Sequence, residues 1–272
     1  MKRFSLIALV LLAGFVFAGS TFAQPSPPPF DEGETLTYEG KVSKIIQGIA
    51  VADLTFTVDR AEGSDFLIKA EAKSKGTLLK LFRFSFLQRF ESTIDDRDFR
   101  VIRTVKHDVQ KERVRDSEAL FDYGDKRVTW TETDPKEPMK PPRRIASEIE
   151  GTTHDLISGV YSLRMLPLAV GKTFTLKVSD SGLVYDVPVK VTGREMQKTE
   201  IGKVTCFRVE PAVFGPGRLV EGKGSMVIWI TDDARRIPVR SQVNASIGKI
   251  EIKIRSVSNA KRDTTQTAKK NK

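Results

Sequence analysis

The residues of this chain best suited to chemistry are few, and their spacing argues against most of the reactions such groups serve. His107 and His154 are the only histidines, with forty-six residues between them and no cysteine or carboxylate at zinc-ligand spacing. No Gly-x-Ser-x-Gly motif offers a serine nucleophile that either imidazole would activate. Asp95, Asp96 and Asp98, in Ile94-Asp95-Asp96-Arg97-Asp98, have the composition of a turn between strands. They lack the glycine and distal glutamate of an EF-hand loop. Cys206, the single cysteine, lies in Lys203-Val204-Thr205-Cys206-Phe207-Arg208, where alternation with charged neighbours predicts a small buried side chain rather than a reactive thiol. The expectation is therefore no catalytic residue, no metal site and no cofactor.

One stretch points to binding instead. In Leu79-Lys80-Leu81-Phe82-Arg83-Phe84-Ser85-Phe86-Leu87-Gln88-Arg89-Phe90, a strand would put Phe82, Phe84, Phe86 and Phe90 on one face, with Arg83 and Arg89 on the other. Each phenylalanine can bury roughly 150–250 Å². Such a face is either core or the wall of an apolar pocket for a lipid or acyl chain.

The elements that would carry these residues are mostly strands. Period-two alternation marks Leu54, Phe56 and Val58, then Phe66, Ile68 and Ala70, and recurs to Ile250, Ile252 and Ile254 near the end. Glu62-Gly63-Ser64, Tyr123-Gly124-Asp125, Asp180-Ser181-Gly182 and Ile247-Gly248 read as turns, and links this short join antiparallel neighbours. One helix is expected from about Thr153 to Met165, capped by Thr152 or Thr153, with Asp155 in its first turn, Leu156, Val160 and Leu163 on one face and Pro167 beyond its end. A second, shorter helix fits Gly76 to Phe82. The fold class is all-β: a curled antiparallel sheet, as a β-roll, sandwich or open barrel, of about a dozen strands with one central helix.

Composition sets the compartment. Met1-Lys2-Arg3, an apolar run from Phe4 to Ala18, and small residues up to Ala23 have the order of a cleavable signal peptide, and the apolar run is too short for a membrane-spanning helix. The domains expected are a signal peptide over 1–23, one β-rich domain over 24–257 and a disordered basic tail over 258–272. The proline-rich segment Asp134 to Arg144 marks a division near 134–152. The formal charge is +10, and removal of Lys2 and Arg3 leaves +8. Half of that excess sits in the tail, which carries Lys261, Arg262, Lys269, Lys270 and Lys272 against Asp263. Export to the periplasm or beyond disfavours nucleic acid as a partner, and the mature chain has no transmembrane segment. A lipid or another envelope component is the expected partner.

The chain resembles a family of uncharacterised exported bacterial proteins, domain of unknown function 3108. The likeness rests on Gly33-Glu34-Thr35-Leu36-Thr37-Tyr38, on Asp155-Leu156-Ile157-Ser158-Gly159-Val160-Tyr161-Ser162-Leu163-Arg164, on Gly171, on Val227-Ile228-Trp229-Ile230-Thr231-Asp232-Asp233 and on Arg236-Ile237-Pro238-Val239 through to Gly248. The resemblance implies a curled β-structure in the cell envelope and assigns no activity. It makes Glu34, Tyr38, Asp155, Tyr161, Arg164, Trp229, Asp232 and Arg236 landmarks, to which structural jobs are expected to fall. The leading functional expectation is a non-enzymatic envelope protein that binds an apolar or amphiphilic ligand or a partner. The alternatives are a structural or assembly factor and a hydrolase acting on an envelope substrate.

Overall fold

A computed structural model describes residues 28–43, 48–61, 65–246 and 248–259. The expected signal peptide, almost all of the basic tail, and the turn residues 62–64 and 247 lie outside that range.

Among the described residues, fifteen strands, rather than about a dozen, form one sheet. The first half is a meander of β1 (Glu34–Ser43), β2 (Ile49–Arg60), β3 (Phe66–Ser74), β4 (Phe86–Ile94), β5 (Val101–Gln110), β6 (Arg113–Asp122), β7 (Arg127–Thr133) and β8 (Arg143–Glu148). After the short β9 (Thr153–His154), the second half runs β10 (Thr173–Asp180), β11 (Leu183–Thr199), β12 (Gly202–Pro211), β13 (Ser225–Thr231), β14 (Pro238–Ala245) and β15 (Gly248–Asn259). Two helices interrupt the strands, α1 (Gly76–Phe82) between β3 and β4 and α2 (Leu156–Met165) between β9 and β10. Their positions match the two helices expected from the sequence.

The last strand returns to the first: β15 pairs antiparallel with β1, so the two meanders join at the middle of the sheet and β8 and β9 are its edges. Every neighbouring pair is antiparallel except β9 with β10. Register shifts in β1, at Thr37/Tyr38 and Gly40/Lys41, and in the β4–β5, β11–β12 and β13–β14 pairs bend the sheet around α2. It curls without closing. At the seam the β10–β11 turn reaches the first half. There Gly182, at φ +80°, leaves no room for a side chain: a Cβ would come within 2.9 Å of Ile145 and Trp130. Ser147 Oγ donates to Gly182 O across the same seam at 2.6 Å.

Helix α2 lies inside the curl and belongs to both halves of the core. Ile157 and Tyr161 pack with Phe30, Val58, Ile68, Val101 and Trp130 of the first half, whereas Leu163 packs with Val178, Val189, Phe207 and Ile230 of the second. A third group, including Leu36, Tyr38, Trp229, Val239 and Ile254, sits where β1 meets the C-terminal strands. Cys206 is fully buried in this group, and burial pushes its thiol up to about 12.

The start of α2 differs from expectation. Thr153 and His154 form β9, and the N-cap is Asp155, not Thr152 or Thr153. Asp155 Oδ1 accepts from the backbone N–H groups of Ile157 (2.9 Å) and Ser158 (2.7 Å), and the Ser158 hydroxyl accepts from the Asp155 N–H (2.9 Å). This reciprocal cap satisfies donors that a helix start leaves open.

Candidate functional site

The phenylalanine stretch does not form the single face expected of it. Phe82 ends α1 and is exposed, and Arg83 turns the chain in a left-handed conformation at φ 49°, so the alternation counted through Phe82 and Phe84 is broken before β4 begins. Phe84 and Phe86 touch each other at one end of the sheet, with ring centroids 6.3 Å apart. Phe86 joins Leu79, Leu87 and Val109 around a shallow depression there, and Phe90 packs against the first-half core under the Lys106 ammonium. None of the four lines the cavity described next.

That cavity, of about 120 Å³, lies between α2 and the strands at the middle of the sheet. Leu36 and Tyr38 of β1, Leu54 and Phe56 of β2, Met226 and Ile228 of β13, Pro238 of β14 and Ile252 of β15 make an almost wholly apolar wall, which α2 closes with Val160, Tyr161 and Arg164. Strand alternation turns these residues inward, and the β1–β15 pairing brings the two ends of the described chain together to build the pocket.

Its polar side is held in place by a buried ion pair. Arg164 Nη1 donates to Glu34 Oε1 (2.6 Å) and Nη2 to Oε2 (2.9 Å), a bidentate arrangement. Nη2 also donates to the carbonyls of Pro29 (3.1 Å) and Arg235 (2.9 Å), tying α2 to the lead-in segment and to the β13–β14 turn. The guanidinium lies over the rings of Phe30 and Tyr161, at 5.0 and 5.1 Å. Burial opposes its charge, but the bond and charge of Glu34 outweigh that and raise the arginine pKa. Burial also lifts the Tyr38 and Tyr161 phenols well above their ordinary range, so both keep their protons.

Three buried polar atoms of the cavity-lining residues, Tyr161 OH, Arg164 Nε and Ser241 Oγ, have no hydrogen-bond partner. These atoms have no surface of their own open to the cavity, whose wall is almost wholly apolar. Elsewhere among the described residues, Arg100 Nε and Arg236 Nη1 lie 2.5 and 3.5 Å from carboxylate oxygens of Asp98 and Asp232, and His154 Nδ1 is buried without a partner.

The remaining landmarks have local tasks. Asp155 Oδ2 accepts from the hydroxyls of Ser92 and of Thr104 (2.5 Å), fixing α2 to β4 and β5. Trp229 is buried, donates from its indole nitrogen to Glu195 and carries the Arg240 guanidinium 4.5 Å above its ring. Asp232 pairs with Arg194 (2.6 Å) and Arg236 (3.5 Å), and Arg236 in turn lies 5.0 Å from the Phe207 ring centroid.

The groups weighed for catalysis do not converge. His107 contacts Asp116 at 2.6 Å, between β5 and β6, and its cross-strand neighbour on β4 is Arg89, so no nucleophile stands opposite it. His154 is buried, and burial lowers it to about 4, against the attraction of Asp155. In the turn between β4 and β5, Asp95 accepts from the Arg97 side chain and backbone and is held at about 2. Asp65, Asp95 and Asp96 bring carboxylate oxygens within 4.8 Å of one another. A larger groove of about 670 Å³, lined by Glu39, Lys198, Glu200, Arg240 and Arg255 among others, is crossed by the pairs of Arg255 with Glu39 and with Glu200 (2.9 Å). There Lys75 and Arg255 hold Glu39 at about 2. No helix of the described residues is long and apolar enough to cross a membrane.

The family model described as protein of unknown function, DUF3108, matches residues 35–255. No curated protein matches. Among solved structures, the chain is similar to a beta-barrel-like protein of domain of unknown function DUF1849 from Brucella abortus, with a TM-score of 0.54 and 8% identity over 83% of this chain and 97% of that one. A Bacteroides fragilis protein with a YmcC-like fold aligns at a TM-score of 0.33 and 12% identity, over 85% of this chain and 98% of that one. The first likeness shows the fold.

Proposed function

The chain belongs to the DUF3108 family, and we propose that it is an exported, non-enzymatic envelope protein that binds an amphiphile in the cavity beside α2. The carrying observation is the almost wholly apolar cavity of about 120 Å³ between α2 and the strands at the middle of the sheet. Export is supported by the leader-like residues 1–23 of the sequence.

Size and charge narrow the ligand. An apolar cavity near 150 Å³ takes a molecule about as large as benzene, so 120 Å³ suits the end of an acyl chain or a small ring, not a whole lipid. Arg164 is already neutralised by Glu34, so a second carboxylate would enter without a free counter-charge and pay its full desolvation. An uncharged, apolar end of the ligand suits the almost wholly apolar wall better.

Native mass spectrometry with solvent extraction, on protein purified from a bacterial periplasm, tests this reading. An amphiphile is expected to accompany the wild type and to be lost from Val160→Phe, which fills the cavity, while the circular dichroism spectrum is unchanged. Bare wild-type protein from several hosts would sink the proposal and favour the structural or assembly role.

A further inference from the structure

We infer that the α1 end of the sheet docks on the surface of an anionic phospholipid bilayer. The inference is independent of the cavity, which lies elsewhere on the molecule.

Helix α1 buries none of its residues. Leu79, Leu81 and Phe82 are 53%, 59% and 54% exposed. A seven-residue helix cannot sustain itself by propensity. This one is held by its ends, where the Thr77 hydroxyl donates to the Ala50 carbonyl and the Arg83 N–H donates to Leu79 O at 2.9 Å. The scaffold therefore displays these apolar side chains rather than packing them. An exposed group of large apolar side chains on a fixed element marks an interaction site.

The surrounding charge selects the occupant. Residues 76–86 contain Lys80 and Arg83 and no acid. The adjoining β5–β6 turn is tied on by the Lys111 N–H to Ser85 O bond (2.9 Å), and it places the Lys111 ammonium 5.9 Å from the Phe84 ring. Glu112, the acid of that turn, is flanked by Lys111 and Arg113. Leucine and phenylalanine beside Lys80, Arg83 and Lys111 is the chemistry of a segment that rests in the headgroup region, apolar side inward and cations against lipid phosphates. A short wedge of this kind gives reversible contact, not insertion.

Flotation of the full chain with vesicles of phosphatidylcholine plus phosphatidylglycerol, against phosphatidylcholine alone, tests the inference. Wild type and variants are prepared identically, so any contribution from residues 1–27 or 260–272 is common to all. The anionic vesicles are expected to bind the wild type at least tenfold better. Leu81→Glu with Phe82→Glu is expected to abolish that binding. Lys80→Glu with Arg83→Glu is expected to weaken it more than about fivefold, since one basic residue at an anionic surface is worth about that factor. Leu120→Glu, which changes an exposed leucine on β6, should leave it unchanged. These sites are exposed, so the folds should persist. Equal flotation of wild type and α1 variants would overturn the inference, as would a wild type that ignores anionic vesicles or instead self-associates through α1.

Discussion

His154 is the buried side chain whose protonation most directly opposes folding. It has 7% exposure, its Nδ1 has no hydrogen-bond partner, and its ring faces Phe99 at 6.2 Å. Burial lowers its pKa from 6.5 to about 4. Between those values the unfolded chain binds the proton more readily than the folded one, so stability is full above pH 6.5 and falls as pH drops toward 4. The loss should reach about 3 kcal/mol at the lower limit, from roughly 1.4 kcal/mol per pKa unit. The carboxylates with depressed values, Glu39 and Asp95 among them, act in a lower window: their stabilisation is present above about pH 4.5 and lost only as pH falls toward 2. Urea titrations from pH 7.5 to 4 would measure this, and His154→Gln should flatten the slope between 6.5 and 4. An unchanged slope in the variant would contradict the assignment to His154.

At the scale of the element, α2 is fixed by one residue. Asp155 accepts from two backbone N–H groups of the helix and from the hydroxyls of Ser92 and Thr104, which belong to different strands. Asp155→Ala would remove a cap worth about 1 kcal/mol. It would also leave buried donors unpaired at about 1–3 kcal/mol each. With the two hydroxyls of Ser92 and Thr104, a total loss of about 3–7 kcal/mol is expected, read as a lower denaturation midpoint. A loss under 1 kcal/mol would mean that packing alone holds the helix. Legibility differed sharply between elements. Ile250, Ile252 and Ile254 announce β15 because alternation is a local pattern. The helix expected from Thr153 starts three residues later, at Leu156, because Thr152, Thr153 and Asp155 all have capping side chains, and only the pairing of Thr153 and His154 with β10 decides among them. The phenylalanine face failed for a related reason, since the left-handed Arg83 resets the side-chain parity and no residue type there demands it.

Across the whole molecule, the feature that matters is the return of β15 to β1, which sets α2 against both ends of the described chain. It joins Arg164 to Glu34 across 130 residues and closes the apolar cavity from six elements. The all-β class and the central helix were legible in the sequence. The cavity was not, because Leu36, Leu54, Val160, Ile228 and Ile252 read individually as ordinary core and meet only through long-range pairing. Tyr38, Tyr161 and Arg164 were marked through resemblance alone, without the contact that gives them a role. The amphiphile site is the central claim, and a crystal structure of protein purified under native conditions from a bacterial periplasm tests it most directly. Elongated density in the cavity is expected, lying against Leu36, Phe56, Val160 and Ile252. A cavity filled by protein side chains, or holding only ordered water, would contradict it.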